Sequence, residues 1–173
     1  MERSTSDARP SRSGGAEAAK GGKFLTFLLG AESYGIDILK VQEIIGIMPI
    51  TRVPRTPDFI RGVINLRGKV FPVIDLRLKF GMDAAAQTGR TCIIVVQIDR
   101  TDSLFTTGLI VDEVSEVIDI RTDQIQDPPS FGENIDTDYI LGMGKCDDRV
   151  ILLLHIDWVL SREEISAVVQ VAN

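Results

Sequence analysis

FIRGVINLRGKVFPVIDLRLKF, residues 59–80, sets the architecture, because the chain says it twice. Ile60 to Leu66 is apolar, Arg67-Gly68-Lys69 is a glycine-centred break, and Val70 to Leu76 is apolar again, so the local reading is two short strands around a turn. Residues 139–160, YILGMGKCDDRVILLLHIDWVL, fall beneath it at an offset of 80, with Phe59 on Tyr139, Gly62 on Gly142, Lys69 on Arg149 and Val70 on Val150. Beyond that point an offset of 82 brings Ile74-Asp75 onto Ile156-Asp157. An upstream block repeats as well: residues 35–47, GIDILKVQEIIGI, align with residues 108–120, GLIVDEVSEVIDI, at an offset of 73, placing Val41 on Val114 and Glu43 on Glu116. The difference between the offsets belongs to a longer surface loop in the second copy, where insertions are tolerated. Two blocks in the same order, with glycines in register, make the chain a tandem of two similar modules.

Outward from the repeat, residues 1–22 carry Ser, Gly, Ala and charge without apolar periodicity, and read as a disordered tail. Phe24 to Leu29 and Tyr34 to Ile38 read as strands. Residues 37–45 read as a strand passing through one helical turn, because helical spacing and β-branched residues coexist there. Pro49, Pro54 and Pro57 make the next stretch a rigid irregular connection. Asp75 has the chemistry of an N-cap, and residues 82–89 read as a link. Cys92 to Ile98 is apolar almost throughout, as for a strand covered on both faces, and Leu104 to Ile120 reads as one long strand bent near Asp112-Glu113. Ser161-x-x-Glu164 is a capping box opening a C-terminal helix with Ile165, Val168 and Val169 on one face. About sixty ordered residues per module, in short strands with glycine-kinked turns, is the size of a small closed barrel. The expected fold is therefore mainly β: two tandem SH3-like five-stranded β-barrels over residues 23–82 and 90–160, with short helical turns, and a helix over 161–173 packing on them.

A chain of 173 residues can bury about 70% of its unfolded surface and needs no metal or disulfide staple. A net charge of −6 argues against nucleic acid and anionic membrane as partners. Cys92 and Cys146 lack CxxC spacing and read as buried thiols in a reducing compartment rather than a disulfide. No apolar run approaches the ~20 residues of a membrane span, and the N-terminus lacks the apolar core of a signal peptide, so a cytoplasmic protein is expected.

The motifs of chemistry fail on spacing. Gly62 to Lys69 places five residues between its glycines and Val70 after its lysine, where a phosphate loop needs four and a hydroxyl residue. His155, the single histidine, lies in an apolar strand and reads as a core or interface residue. The acid groups Asp112-Glu113-x-x-Glu116 and Asp136-x-Asp138 read as solvated faces rather than catalytic pairs. No nucleophile, base and oxyanion donor come together, so no catalytic residue, cofactor or metal is assigned. Two features look wasteful unless something binds them. Phe131 stands in the proline-rich loop DPPSFGEN, either tucked back on its own barrel or exposed as an anchor. Arg67 at a hairpin tip and Glu43 in the same module fix a surface if they meet across it.

Together YGIDILKVQEI, TPDFIRGVINLRGKVFPVIDLRLKF, GLIVDEVSEVI and YILGMGKCDDRVILLLHID resemble the CheW family of bacterial chemotaxis, from about Lys23 to Glu164. The resemblance implies two SH3-like barrels and a scaffold joining the cytoplasmic tip of chemoreceptors to the histidine kinase CheA. It maps a receptor-binding groove onto Val41, Glu43, Gly62, Arg67 and Val117, and a contact with the CheA regulatory domain, or within rings, onto Phe131. Where the family often has a basic residue before the proline loop, this chain has Gln126, which weakens charge pairing there. A stand-alone coupler recruited to membrane-associated receptor arrays is the expectation, since the chain has no room for the extra domains of CheA or CheV. The alternatives are a ligand-binding or sensor module of two small barrels, and a CheW-like domain serving another kinase pathway.

Overall fold

The computed structural model describes residues 20–100, 103–128 and 139–172. Strands β1 (Gly22–Leu29), β2 (Glu32–Asp37), β3 (Val41–Gly46), β4 (Ile60–Leu66) and β5 (Lys69–Asp75) lead into the short helix α1 (Leu76–Lys79). After the link come β6 (Cys92–Arg100), β7 (Ser103–Val111), β8 (Glu113–Ile120), β9 (Ile125–Gln126), β10 (Ile140–Cys146) and β11 (Arg149–Leu154), then helix α2 (Arg162–Ala172). The fold is mainly β, as expected. Its two sheets run β3-β6-β7-β5-β4 and β8-β1-β2-β11-β10-β9, so each has the five expected strands and the two-residue β9 is an addition.

The sheets correct one expectation. Residues 23–82 and 90–160 are not separate pairing units, because each lends its first hairpin to the other. β1 and β2 lie between β8 and β11, while β6 and β7 lie between β3 and β5. The exchange has a local cause at two equivalent crossings. After β2, Asp37 accepts the Leu39 N–H at 2.9 Å and opens a 3-10 turn over Ile38–Lys40, which carries the chain from one sheet to the other. After β7, Asp112 breaks the strand. Its N–H donates to the Leu28 carbonyl at 3.1 Å and its carboxylate accepts the Gly30 N–H at 2.7 Å. The single bent strand expected over Leu104 to Ile120 is thus two strands in different sheets.

The repeat governs the pairing. β2 runs parallel to β11 with Gly35 opposite Leu153, and β7 runs parallel to β5 with Gly108 opposite Val73. Both hairpins carry a bulge at the same place, Ile60/Gly62 and Ile140/Gly142. The glycines are there because each barrel closes over them. The chain leaving edge strand β3 pairs through Thr51 with Val63, and the chain leaving edge strand β8 pairs as β9 with β10. A Cβ on Gly62, at φ +145, would lie 2.1 Å from the Thr51 carbonyl oxygen, and one on Gly142 would lie 2.7 Å from that of Gln126. The offset of 80 also persists further than the sequence alignment suggests. Asp75 N–H donates to the Phe59 carbonyl and His155 N–H to that of Tyr139, both at 2.7 Å, so His155, not Asp157, takes the place of Asp75.

Three clusters fill the interior. Ile64, Phe71, Val73, Ile93, Val95 and Ile110 pack in one barrel, and Phe24, Ile120, Ile151 and Leu153 in the other. The third and largest lies between the barrels and takes Leu25, Phe27 and Leu29 from β1, Ile94, Val96 and Ile98 from β6, and Ile165 and Val168 from α2. Alternation along β6 thus sends Ile93 and Val95 into its own barrel and Ile94 and Val96 into the shared core, which is why the strand is apolar on both faces. A ladder of stacked rings, Phe27, Tyr34, Phe80 and Tyr139, with centroids 5.8, 5.8 and 5.1 Å apart, joins the two halves. Burial first, then the charge of Glu32, pushes the Tyr34 hydroxyl above 10.0. The capping box at α2 forms as expected, with Ser161 N–H on Glu164 Oε1 at 2.8 Å and Glu164 N–H on Ser161 Oγ at 3.1 Å. Among the described residues no helix is long and apolar enough to cross a membrane.

Candidate functional site

Arg67 and Gly68 are the two residues of the β4–β5 turn, which Leu66 and Lys69 close as a pair. Both have positive φ, 54° and 88°, as a type I′ turn requires. Such a turn favours Asn or Gly at its first position, and the arginine sits in a left-handed conformation that L side chains avoid. Asn65 holds the turn by accepting the Gly68 N–H at 2.9 Å. From this tip the guanidinium reaches across to β3, where Arg67 Nη2 donates to Glu43 Oε1. Arg67 is 69% exposed and Glu43 34%, so the pair is open to solvent at the hairpin tip. The Arg67 hydrogen bond, more than its charge, holds the Glu43 carboxyl below its ordinary 4.5, and Glu43 raises Arg67 in return. The charges are mutually neutralised yet open to a partner.

Of the residues expected in the groove, the structure brings Glu43 and Arg67 into contact. Val41 stands two residues before Glu43 on β3, half-buried against the shared core. Gly62 is buried at the β4 bulge, where its role is to admit Thr51. Val117 is 48% exposed but belongs to β8, in the other sheet. Phe131 and the Asp136-x-Asp138 group lie outside the described residues.

The repeat reveals a counterpart that sequence reasoning did not single out. Arg149, at the β10–β11 turn, pairs with Glu116 on β8 at 3.3 Å. Glu116 is the repeat equivalent of Glu43, and Arg149 that of Lys69. Two pairs of exposed aliphatic residues follow the same rule, Ile44 (42%) matching Val117 (48%) and Val70 (48%) matching Val150 (49%), whereas Leu39 and Leu104 do not. Each barrel therefore shows solvent an ion pair from strand to hairpin tip, with bare aliphatic side chains on the same strands. The signal was present in the two offsets, since they align these positions.

The acid cluster and the groups around His155 are committed to structure. Asp112 pairs with Arg77, Glu113 with Arg90 at 3.7 Å, and Glu116 with Arg149, so the acid cluster is three separate ion pairs. His155 stands edge-on to Trp158 at 6.3 Å, beside a cleft of about 210 Å³. That cleft holds Asp37, which caps a turn, and Asp157, which binds Lys40 at 2.8 Å and the Asp99 N–H at 2.8 Å. It is smaller than the roughly 300–1,000 Å³ usual for ligand sites. Asp157 ties the turn after β11 to β6 and to the turn after β2, while Asp37 caps its own turn.

Residues 23–164 match the CheW-like domain family. The chain is similar to the chemotaxis protein CheW of Klebsiella aerogenes, 43% identical over 88% of this chain and 90% of that protein. It is likewise similar to CheW of Helicobacter pylori, 38% identical over 82% of each. A crystal structure of the scaffolding protein TtCheW from Thermoanaerobacter tengcongensis superposes with a TM-score of 0.72 at 39% identity, covering 83% of this chain and 95% of that one. The chain belongs to the CheW family of chemotaxis scaffold proteins, which are noncatalytic.

Proposed function

We propose that this protein couples transmembrane chemoreceptors to the histidine kinase CheA in the cytoplasm, and that the face around Glu43 and Arg67 receives the receptor tip. The observation that carries this reading is the backbone of Arg67. A side chain kept at a left-handed turn position, where Asn or Gly would be less strained, points to a use other than folding. The use that fits is recognition: the pair is exposed and able to exchange its internal bond for one to a partner. Val117 and its neighbours on the second barrel extend this surface in the proposed groove, and the loop holding Phe131 contacts the CheA regulatory domain. Surface plasmon resonance against an immobilised receptor cytoplasmic fragment tests it. Arg67→Asn is expected to weaken binding at least tenfold, and unchanged binding would remove this face from the account.

A further inference from the structure

We propose that the groove at the other end of the five-stranded barrel is a second docking site, for a protein segment presenting an acidic side chain beside an apolar one. The groove lies between the connection after β3 and the start of β4. It measures about 550 Å³ and is lined by Ile47, Met48, Ile50, Arg52, Arg61 and Gln87 among others. Its apolar part is the rim of the barrel core, since Ile47, Met48 and Ile50 pack against the cluster of Ile64, Phe71 and Ile93 while staying partly exposed.

Charge selects the occupant. The residues lining the groove include two basic side chains, Arg52 and Arg61, and no acidic one, in a chain whose net charge is −6. Arg61 is held at 2.8 Å by Asp75, which is itself fixed by accepting the Arg77 N–H at 3.0 Å, so that guanidinium is oriented in advance. Arg52 is exposed and makes no ion pair with any described residue. A groove of one sign concentrates ligands of the other. The frame is rigid as well. Thr51 and Val63 exchange backbone hydrogen bonds at 2.9 Å, and Pro49 stiffens the intervening chain, so little freedom is lost on binding. The groove opens broadly to solvent, which suits an extended segment of a partner rather than an enclosed small molecule. Arg61 and Arg67 stand at opposite ends of β4, roughly 20 Å apart along the strand. The contact is therefore additional to the one around Glu43, and stands whether or not that reading does.

Methionine methyl NMR on the full chain tests it. Met48 lines the groove, whereas Met82 lies near Gly30 and Met143 lies in β10, so these two serve as internal controls. The probes are a capped peptide carrying two Leu-Glu pairs, its Leu-Lys counterpart, and inorganic phosphate. The Leu-Glu peptide is expected to shift the Met48 methyl saturably, with half-saturation below about 1 mM, leaving Met82 and Met143 in place. Arg52→Glu is expected to weaken the effect at least tenfold, and Arg52→Gln, which keeps the length and removes the charge, to weaken it less. An unmoved Met48, an equal response to the Leu-Lys peptide, competition by phosphate alone, or indifference to both Arg52 variants would each overturn the proposal.

Discussion

Arg67 shows how a single residue separates function from folding. Its guanidinium is exposed and its backbone lies at φ 54°, so neither burial nor conformational preference explains it. Arg67→Asn is expected to shift Tm by less than about 3 °C, because the turn accepts Asn and an exposed pair adds little. A larger fall in a thermal melt would make Arg67 structural. The pair also has a definite acid limit. Because Glu43 titrates below 4.5 in the folded chain, its contribution is present above that value and is lost as pH falls through the folded pKa. Binding through this face is thus expected to change little between about pH 6 and 8, and a carboxylate-detected titration should show Glu43 moving back toward 4.5 in Arg67→Asn. Gly62 is the opposite case. A Cβ there meets the Thr51 carbonyl oxygen at 2.1 Å, while one on Gly68 meets nothing within 4 Å. Urea denaturation of Gly62→Ala should show a loss above about 2 kcal/mol, against about 1 kcal/mol for Gly68→Ala.

At the scale of elements, the repeat was legible because glycines and bulges obey it, but the partners of each strand were not. The hairpin over residues 59–80, the Asp75 cap, the turn within residues 37–45 and the capping box of α2 all follow from local chemistry, and all form. The crossing of β7 into β8 did not show, because one aspartate among valines and isoleucines looks the same in a bent strand as in a break between sheets. The equivalence of Asp75 with His155 was hidden for a related reason. Identical Ile-Asp pairs lie two residues apart from the backbone register, and side-chain identity outweighed it in the alignment. Asp75 carries the heavier local duty, capping α1 while its 7% exposed carboxylate holds Arg61. Asp75→Ala is expected to cost about 2–4 kcal/mol by chemical denaturation, since it leaves Arg61 without its partner and α1 without its cap. A cost under 1 kcal/mol would show that α1 and Arg61 rely on other contacts.

For the whole molecule, the exchange of hairpins makes the two barrels one folding unit, with most of the core lying between them. Residues 23–82 and 90–160 made as separate peptides are expected to give undispersed amide spectra, and an equimolar mixture to recover dispersion. A folded spectrum from either peptide alone would contradict the exchange. Of the candidate site, sequence showed the Glu43–Arg67 meeting as a possibility and the repeat that doubles it, whereas exposure, turn conformation and the groove of Arg52 and Arg61 arise only from the tertiary arrangement of the strands. The surface is what the fold presents to others, and bridging receptor to kinase is its proposed use. Sedimentation velocity with fluorescently labelled CheA and a receptor cytoplasmic fragment, with and without this protein at roughly tens of micromolar, tests it most directly. A complex holding both partners is expected to form when this protein is added and to weaken with Arg67→Asn; kinase sedimenting apart from receptor in its presence would show that the protein does not bridge them.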